Sequence, residues 1–157
     1  MGSGPARAEL MLLADQLGLA ASVVIDGARY GTERDALLRR ADFFVMASRF
    51  EGVPLAALEA GLLGLPLVVT RETGLADAVV AAGAGDRIEG LTAEAVRDAL
   101  HRAEATTASA WAQQAGSARQ LVELIGDWTR IARQLCALYL DTGTAGEAGQ
   151  SVVRRCA

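Results

Sequence analysis

Two carboxylates stand eight positions apart, Glu51 and Glu59, within the run Ser48-Arg49-Phe50-Glu51-Gly52-Val53-Pro54-Leu55-Ala56-Ala57-Leu58-Glu59-Ala60. Glu59 is the less ordinary of the two. Its neighbours at helical spacing are Leu55, Leu58, Leu62 and Leu63, with alanines between them. A helix apolar nearly all round is expected to be buried. A carboxylate inside it must then find hydrogen bonds, because an unpaired buried charge is strongly destabilising. One candidate partner is a ligand diol, since a carboxylate accepts two hydroxyl hydrogen bonds. Another is an arginine, Arg49 or Arg71. Glu51 either lines the same cleft or is a solvated loop charge favoured near a helix N-terminus. Gly52 permits close backbone approach, and Pro54 suits a first helical turn, where its missing N–H costs nothing. The N–H groups of that turn favour an anion such as phosphate.

A loop of this kind needs a strand before it and a helix after it. Apolar spacing predicts helices over residues 6–17, 32–40 (Thr32 as N-cap), 54–63, 74–82 and 92–105. Short apolar runs predict strands over 22–26, 42–47 and 65–70, the second of them buried, and a further short strand is expected over 86–89. Residues 106–116 read as helical, and a long amphipathic helix is expected from Ser117 to Leu140. Short strands alternating with helices indicate an α/β fold, a parallel sheet covered on both faces. The candidate loop then follows the carboxyl end of a strand, where ligands of open α/β sheets bind. Residues 1–141 read as one partial domain. Residues 142–157, rich in Gly, Ala and Thr without periodicity, read as a flexible tail.

Of the 157 residues, 52% are apolar and 22% charged, which suits a packed core. Fifteen basic residues face nineteen acidic ones, a net charge of −4, and every basic residue is Arg. That balance argues against nucleic acid as a partner. Cys136 and Cys156 lack metal-ligand spacing, and Cys136 reads as a buried thiol. No metal is expected. His101 reads as a surface residue. Neither a signal peptide nor a membrane span is apparent, so the expected setting is the cytoplasm.

The order of residues carries more than their spacing. The run Ala41-Asp42-Phe43-Phe44-Val45-Met46-Ala47-Ser48-Arg49-Phe50-Glu51-Gly52-Val53-Pro54, then Leu58-Glu59-Ala60 and Gly64-Leu65-Pro66-Leu67-Val68-Val69-Thr70, resembles the donor-binding domain of family 4 (group 1) retaining glycosyltransferases. Glu51 and Glu59 match that family's E-x7-E signature. Gly2-Ser3-Gly4-Pro5, Val24-Ile25-Asp26-Gly27, Thr73-Gly74-Leu75-Ala76-Asp77 and Trp128-Thr129-Arg130-Ile131-Ala132 with Leu138-Tyr139 resemble flanking features in the same order. The resemblance spans about residues 1–141.

It implies the C-terminal, Rossmann-like half of a GT-B fold ending in a long helix. It also implies transfer of a sugar from a nucleotide sugar to an acceptor with retention at the anomeric carbon. Glu51 would be the catalytic residue, contacting donor-sugar hydroxyls, and Glu59 would hold the ribose diol. Ser48, Arg49, Gly52, Val53 and Pro54 would flank the sugar and diphosphate. Gly4 would turn the chain beside them, and Tyr30, in the loop 27–30, would border the base. The family needs no cofactor or metal beyond the nucleotide-sugar substrate. The resemblance further implies an N-terminally truncated chain, without the acceptor-binding domain and the first donor-domain strands with their basic diphosphate clamp. The expected place is the cytoplasm, or the inner membrane face if the chain is part of a complete enzyme. Two other readings stand beside transfer. One is a non-catalytic remnant that binds nucleotide weakly or not at all. The other is a GT-B relative such as a sugar-nucleotide epimerase, ranked last because its acid pattern differs. The apolar stripe Leu121, Leu124, Ile125, Trp128, Ile131, Leu135 and Leu138 is expected to pack mostly on the chain's own sheet. Whatever it leaves uncovered would favour self-association.

Overall fold

The computed structural model describes residues 3–141 and divides into two compact units, Met1–Asp42 and Phe43–Ala157. The expected tail at 142–157 lies outside the described residues.

The first unit holds α1 (Arg7–Gln16) and α2 (Gly31–Leu38). Its segment 22–26 forms no strand, contrary to the Val-Val-Ile signal. A strand is stabilised by a backbone ladder, and residues 3–42 contain no second strand to supply one. Val24 is left 85% exposed. Thr32 is not the N-cap of α2. Tyr30 takes that place with extended backbone, and Gly31 enters the helix with φ at +53°, a conformation glycine adopts without strain.

The second unit is built on three parallel strands, β1 (Phe44–Met46), β2 (Leu67–Thr70) and β3 (Gly85–Ile88), in that spatial order. Phe44, Val45 and Met46 stand beside Leu67, Val68 and Val69, and Leu67 to Thr70 beside Gly85 to Ile88. β2 is central and buried at every position, which is why its sequence is continuously apolar up to Thr70. Burial of Leu67, Val68 and Val69 stabilises the unit by roughly 1.5–3 kcal/mol each. β1 is only half-buried, with Val45 exposed, because it stands at the edge of the described sheet.

The crossovers are α3 (Leu55–Leu62) and α4 (Ala76–Ala81), and both meet α6 (Ala108–Ile125). On the other face Val68 and Ile88 pack with Ala99 and Ala103 of α5 (Ala93–Glu104), backed by Phe43. Thr92 starts α5 by accepting a hydrogen bond from the Ala95 N–H at 3.2 Å. Both faces of the sheet are thus helix-covered, as the alternating pattern requires.

The helix expected from Ser117 to Leu140 is two helices, α6 and α7 (Trp128–Asp141). Gly126 closes the first, its N–H donating to the Val122 carbonyl at 2.8 Å. Asp127 opens the second, its Oδ1 accepting from the Arg130 N–H at 3.0 Å. The apolar stripe divides with the helix. Leu121 is buried and Ile125 and Ile131 are half-buried, while Leu124, Leu135 and Leu138 are exposed, so these three leucines are the part of the stripe left uncovered. Cys136 is half-buried rather than buried, because it lies on this more exposed helix. His101 is exposed as expected, 3.7 Å from Glu104 Oε2.

Candidate functional site

β1 and β2 run parallel, so their carboxyl ends open on the same edge of the sheet. The loop after β1 carries Ser48 to Pro54, and the loop after β2 carries Arg71 to Gly74. Three contacts fasten these loops together. The Thr70 hydroxyl donates to the Ser48 carbonyl at 2.5 Å. Glu51 and Thr73 form a parallel bridge, and the Gly74 N–H donates to the Glu51 carbonyl at 2.9 Å. Thr73 is itself tied back, its hydroxyl donating to the Thr70 carbonyl at 2.8 Å.

Glycine is required at one of these points. A Cβ on Gly74 would lie 2.5 Å from the Gly52 carbonyl oxygen, far inside van der Waals contact. Gly52 is the reverse case, since a Cβ there would meet nothing within 4 Å. The two loops therefore touch through Gly74, while Gly52 turns an open face outward.

The exposed residues of the first loop are Arg49, Phe50, Glu51, Gly52 and Val53; Ser48 is half-buried and Pro54 buried. Pro54 is the N-cap of α3, one residue ahead of the helical turn expected to contain it. No side chain caps this helix, and the first N–H groups to find the Pro54 carbonyl are those of Ala57 and Leu58. The N–H groups of Leu55 and Ala56 belong to the uncapped turn and give that end its partial positive charge.

Glu59 is half-buried, which corrects the expectation of a buried helix around it. The small residues Ala57, Ala60 and Gly61 face inward on α3, while Leu55 is 75% exposed. Close helix approach explains the inversion. A Cβ on Gly61 would lie 2.7 Å from Val122 Cγ2, so α6 leaves no room for leucine on that side. Glu59 is the fifth residue of α3, hence about 6 Å along the axis from its start.

The structure thus gathers Ser48, Arg49, Glu51, Gly52, Val53, Pro54 and Glu59 on one loop and the helix it opens. Gly4 and Tyr30 belong to the first unit. There Gly4 is exposed and its carbonyl accepts from the Arg7 N–H at 3.2 Å, and Tyr30 is exposed. In the same unit Asp26, Arg29 and Glu33 line a hollow of about 290 Å³. The hydrogen bond from Arg29 holds the Asp26 carboxyl below its usual range, helped by the Gly27 N–H.

Thr70, Thr73 and Gly74 fasten the candidate loop, and spacing alone did not single them out. Their signal was a hydroxyl at the end of a buried strand, followed by glycine after a threonine. Glu72 joins them with a second kind of signal. Its Oε2 is buried without a hydrogen-bond partner among the described residues. A buried acceptor left in this state costs about 1–3 kcal/mol. Among the described residues no group of three or more His, Cys, Asp or Glu could hold a metal ion, and no helix is long and apolar enough to cross a membrane.

Known proteins share this fold. The family described as "Glycosyl transferases group 1" matches residues 1–117. Glycogen synthase of Mycobacterium tuberculosis is 37% identical over 114 residues, 69% of this chain and 26% of that protein. D-inositol 3-phosphate glycosyltransferase of Corynebacterium urealyticum is 32% identical over 149 residues, 94% of this chain and 35% of that protein. Among solved structures, the sucrose-phosphate synthase of Thermosynechococcus elongatus superimposes with a TM-score of 0.67 at 27% identity, covering 89% of this chain and 36% of its own. WaaG, a glycosyltransferase involved in lipopolysaccharide biosynthesis, gives 0.66 at 25% identity, covering 78% and 32%. The chain spans about a quarter to a third of the length of these curated relatives. The helix-flanked parallel sheet is thus that of GT-B glycosyltransferases.

Proposed function

Because the chain belongs to the group 1 glycosyl transferases, we propose that it supplies the donor-binding part of a family 4, retaining enzyme that moves a sugar from a nucleotide sugar to an acceptor. One observation carries the reading. The loop bearing Glu51 is fixed backbone to backbone against Thr73 and Gly74, which leaves Gly52 open beside the uncapped start of α3. A rigid loop with an open glycine next to a helix N-terminus suits a diphosphate. Carboxylates on either side suit hydroxyl-bearing groups.

In this reading Glu51 accepts hydrogen bonds from donor-sugar hydroxyls and orients the ring. Glu59 accepts both hydrogens of the ribose diol. The Gly52 and Val53 N–H groups approach the diphosphate, Pro54 sets the direction of α3, and Ser48 and Arg49 border the sugar. The bond between the anomeric carbon and the diphosphate breaks, and its electron pair leaves with the diphosphate toward the helix start. Positive charge develops on the sugar ring, and the acceptor hydroxyl oxygen closes on the same face as its proton passes to the departing diphosphate oxygen. No resident metal takes part. Preorganised N–H dipoles stabilise the departing charge without reorganising. Acceptor positioning, which contributes a large share of the barrier reduction, falls to residues outside those named here.

Calorimetric titration of the full chain with UDP, GDP and ADP tests the reading. One of them binds, and Glu59→Ala weakens it at least tenfold, about 1.4 kcal/mol. Unchanged affinity in Glu59→Ala removes the ribose assignment. Absence of binding by any of the three leaves the remnant reading in possession. In a form that turns over, Glu51→Ala lowers turnover more than nucleotide affinity; equal turnover in the variant removes the role of Glu51.

A further inference from the structure

At the opposite edge of the sheet, where the strands begin, lies a cavity of about 260 Å³ that plays no part in the donor site. Its apolar wall is Phe43, Val68 and Ala103, continuous with the core on the α5 face. Its polar lining is Asp86 at the start of β3, Arg102 near the end of α5, Thr106 just beyond that helix, and Gln114 from α6. Gly85 also borders it and cannot be replaced, since a Cβ there would lie 2.0 Å from the Leu67 carbonyl oxygen.

The charges in this lining cancel. Arg102 Nε donates to Asp86 Oδ2 at 2.6 Å, and a terminal nitrogen donates to the Arg87 carbonyl at 3.0 Å. Asp86 Oδ1 accepts from the Arg87 N–H at 2.7 Å. The Thr106 hydroxyl donates to the Arg102 carbonyl at 3.1 Å and keeps its lone pairs. Gln114 stands apart from this network, because its Oε1 is buried with no hydrogen-bond partner among the described residues. The partner Oε1 lacks is a donor, and a hydroxyl supplies one and can also accept should the amide stand turned over.

We propose that this cavity binds a single neutral sugar ring, separately from the donor site. A paired Arg102 and Asp86 give no net charge for an ion to meet. One apolar wall facing several polar groups fits a ring with one C–H face and a rim of hydroxyls. A flat heteroaromatic ring would call instead for apolar surface on both sides. A hydroxyl satisfies Gln114 in either orientation of its amide. The volume lies below the ~300–1,000 Å³ of sites for drug-sized ligands, which limits the occupant to about one ring. On a glycosyltransferase such a site holds carbohydrate away from the reacting groups.

Nuclear magnetic resonance of the full, ¹⁵N-labelled chain tests this with methyl α-D-glucopyranoside and, separately, adenosine. The sugar is expected to shift the amides of Asp86, Thr106 and Gln114 with a millimolar Kd. Gln114→Leu weakens that binding at least tenfold, while Glu59→Ala leaves it unchanged. Absence of sugar-dependent shifts at those amides overturns the proposal, as does a response to adenosine alone or an equal response in Gln114→Leu. The thermal midpoint of the sugar-free variant is an independent check. Relief of an unpartnered buried amide raises it by a few degrees; a fall in midpoint makes Gln114 a structural residue and overturns the proposal.

Discussion

The two units of the chain draw on the same vocabulary of Ala, Leu and Val and use it in opposite ways. In the second, β2 is buried at all four positions, and Leu67, Val69, Val79 and Ile88 have no exposed surface. In the first, α1 has no buried residue, and Leu10, Met11, Leu12, Leu13 and Leu17 are each more than two-fifths exposed. Leu38 is the one core residue of residues 3–42. Apolar content does not by itself make a core. A core needs elements whose apolar faces meet, and among the described residues only the second unit has a sheet with helices on both faces. The Glu51 loop and its partner loop both spring from that sheet, so the candidate loop has a core beneath it.

The largest expected effect breaks this contrast directly. Val68→Asp puts an unpaired carboxylate between β2 and the Ala99 and Ala103 face of α5. It is expected to cost more than ~4 kcal/mol, enough to unfold a domain of marginal stability. Leu13→Asp on α1 is expected to change stability by no more than about 0.5 kcal/mol, because that side chain is 47% exposed. Urea unfolding of the two variants makes the comparison. Similar losses in both would show that the first unit depends on burial as much as the second.

A smaller effect separates two glycines of the site. Gly74→Ala drives a methyl group into the Gly52 carbonyl, and overpacking of this kind costs about 1–3 kcal/mol. Gly52→Ala meets open space, so its stability change stays within about 0.5 kcal/mol. Their effects on nucleotide binding are expected to match: both weaken it about tenfold, Gly74→Ala by displacing the loop and Gly52→Ala by blocking backbone approach. A Gly52→Ala variant that binds the cognate nucleoside diphosphate as tightly as the parent would place the diphosphate elsewhere. Thr70→Val comes next. It removes the hydroxyl that joins the ends of β1 and β2, for an expected loss of about 1–2 kcal/mol in urea unfolding.

These contrasts show what the residue order reveals and what it hides. The alternation of β2, α4, β3 and α5 is legible because β2 is a continuous apolar run, β3 is a short segment between two helical patterns, and Thr92 announces its helix. The loop at Glu51 is legible because Gly52, Pro54 and the second glutamate stand in order. The segment 22–26 misleads, since Val-Val-Ile has strand propensity but no neighbouring ladder within its unit to pair with. The break at Gly126-Asp127 was written in the chain as a glycine followed by a capping aspartate, yet unbroken apolar spacing from Leu121 to Leu138 outweighed it. The environment of Glu59 was not legible at all. Leucines beside it suggested burial, but Gly61 against Val122 decides which side of α3 faces inward, and that contact joins residues far apart in sequence.

The smallest effect lies in the first unit, where an ion pair stands in place of packing. Arg29 donates to both Asp26 oxygens, at 3.0 and 3.1 Å, and reaches Glu33 at 3.4 Å. The hydrogen bond from Arg29 is the main reason the folded-state pKa of Asp26 lies below 3.8. A carboxyl depressed on folding contributes stability above its unfolded pKa and loses it as the pH falls through the folded value. The contribution is therefore constant at neutral pH and disappears only below about pH 4. Asp26 and Arg29 are solvent-facing, so the effect on overall stability is small and screened by salt. Carboxyl chemical shifts of Asp26 followed through acid titration are the suitable measurement. The parent chain titrates below the ordinary carboxylate range, and Arg29→Gln brings Asp26 back toward 3.8. An unchanged titration in Arg29→Gln would assign the depression to the Gly27 N–H, which also donates to Asp26, at 2.9 Å. The first unit would then owe the geometry of this loop to its backbone rather than to the ion pair.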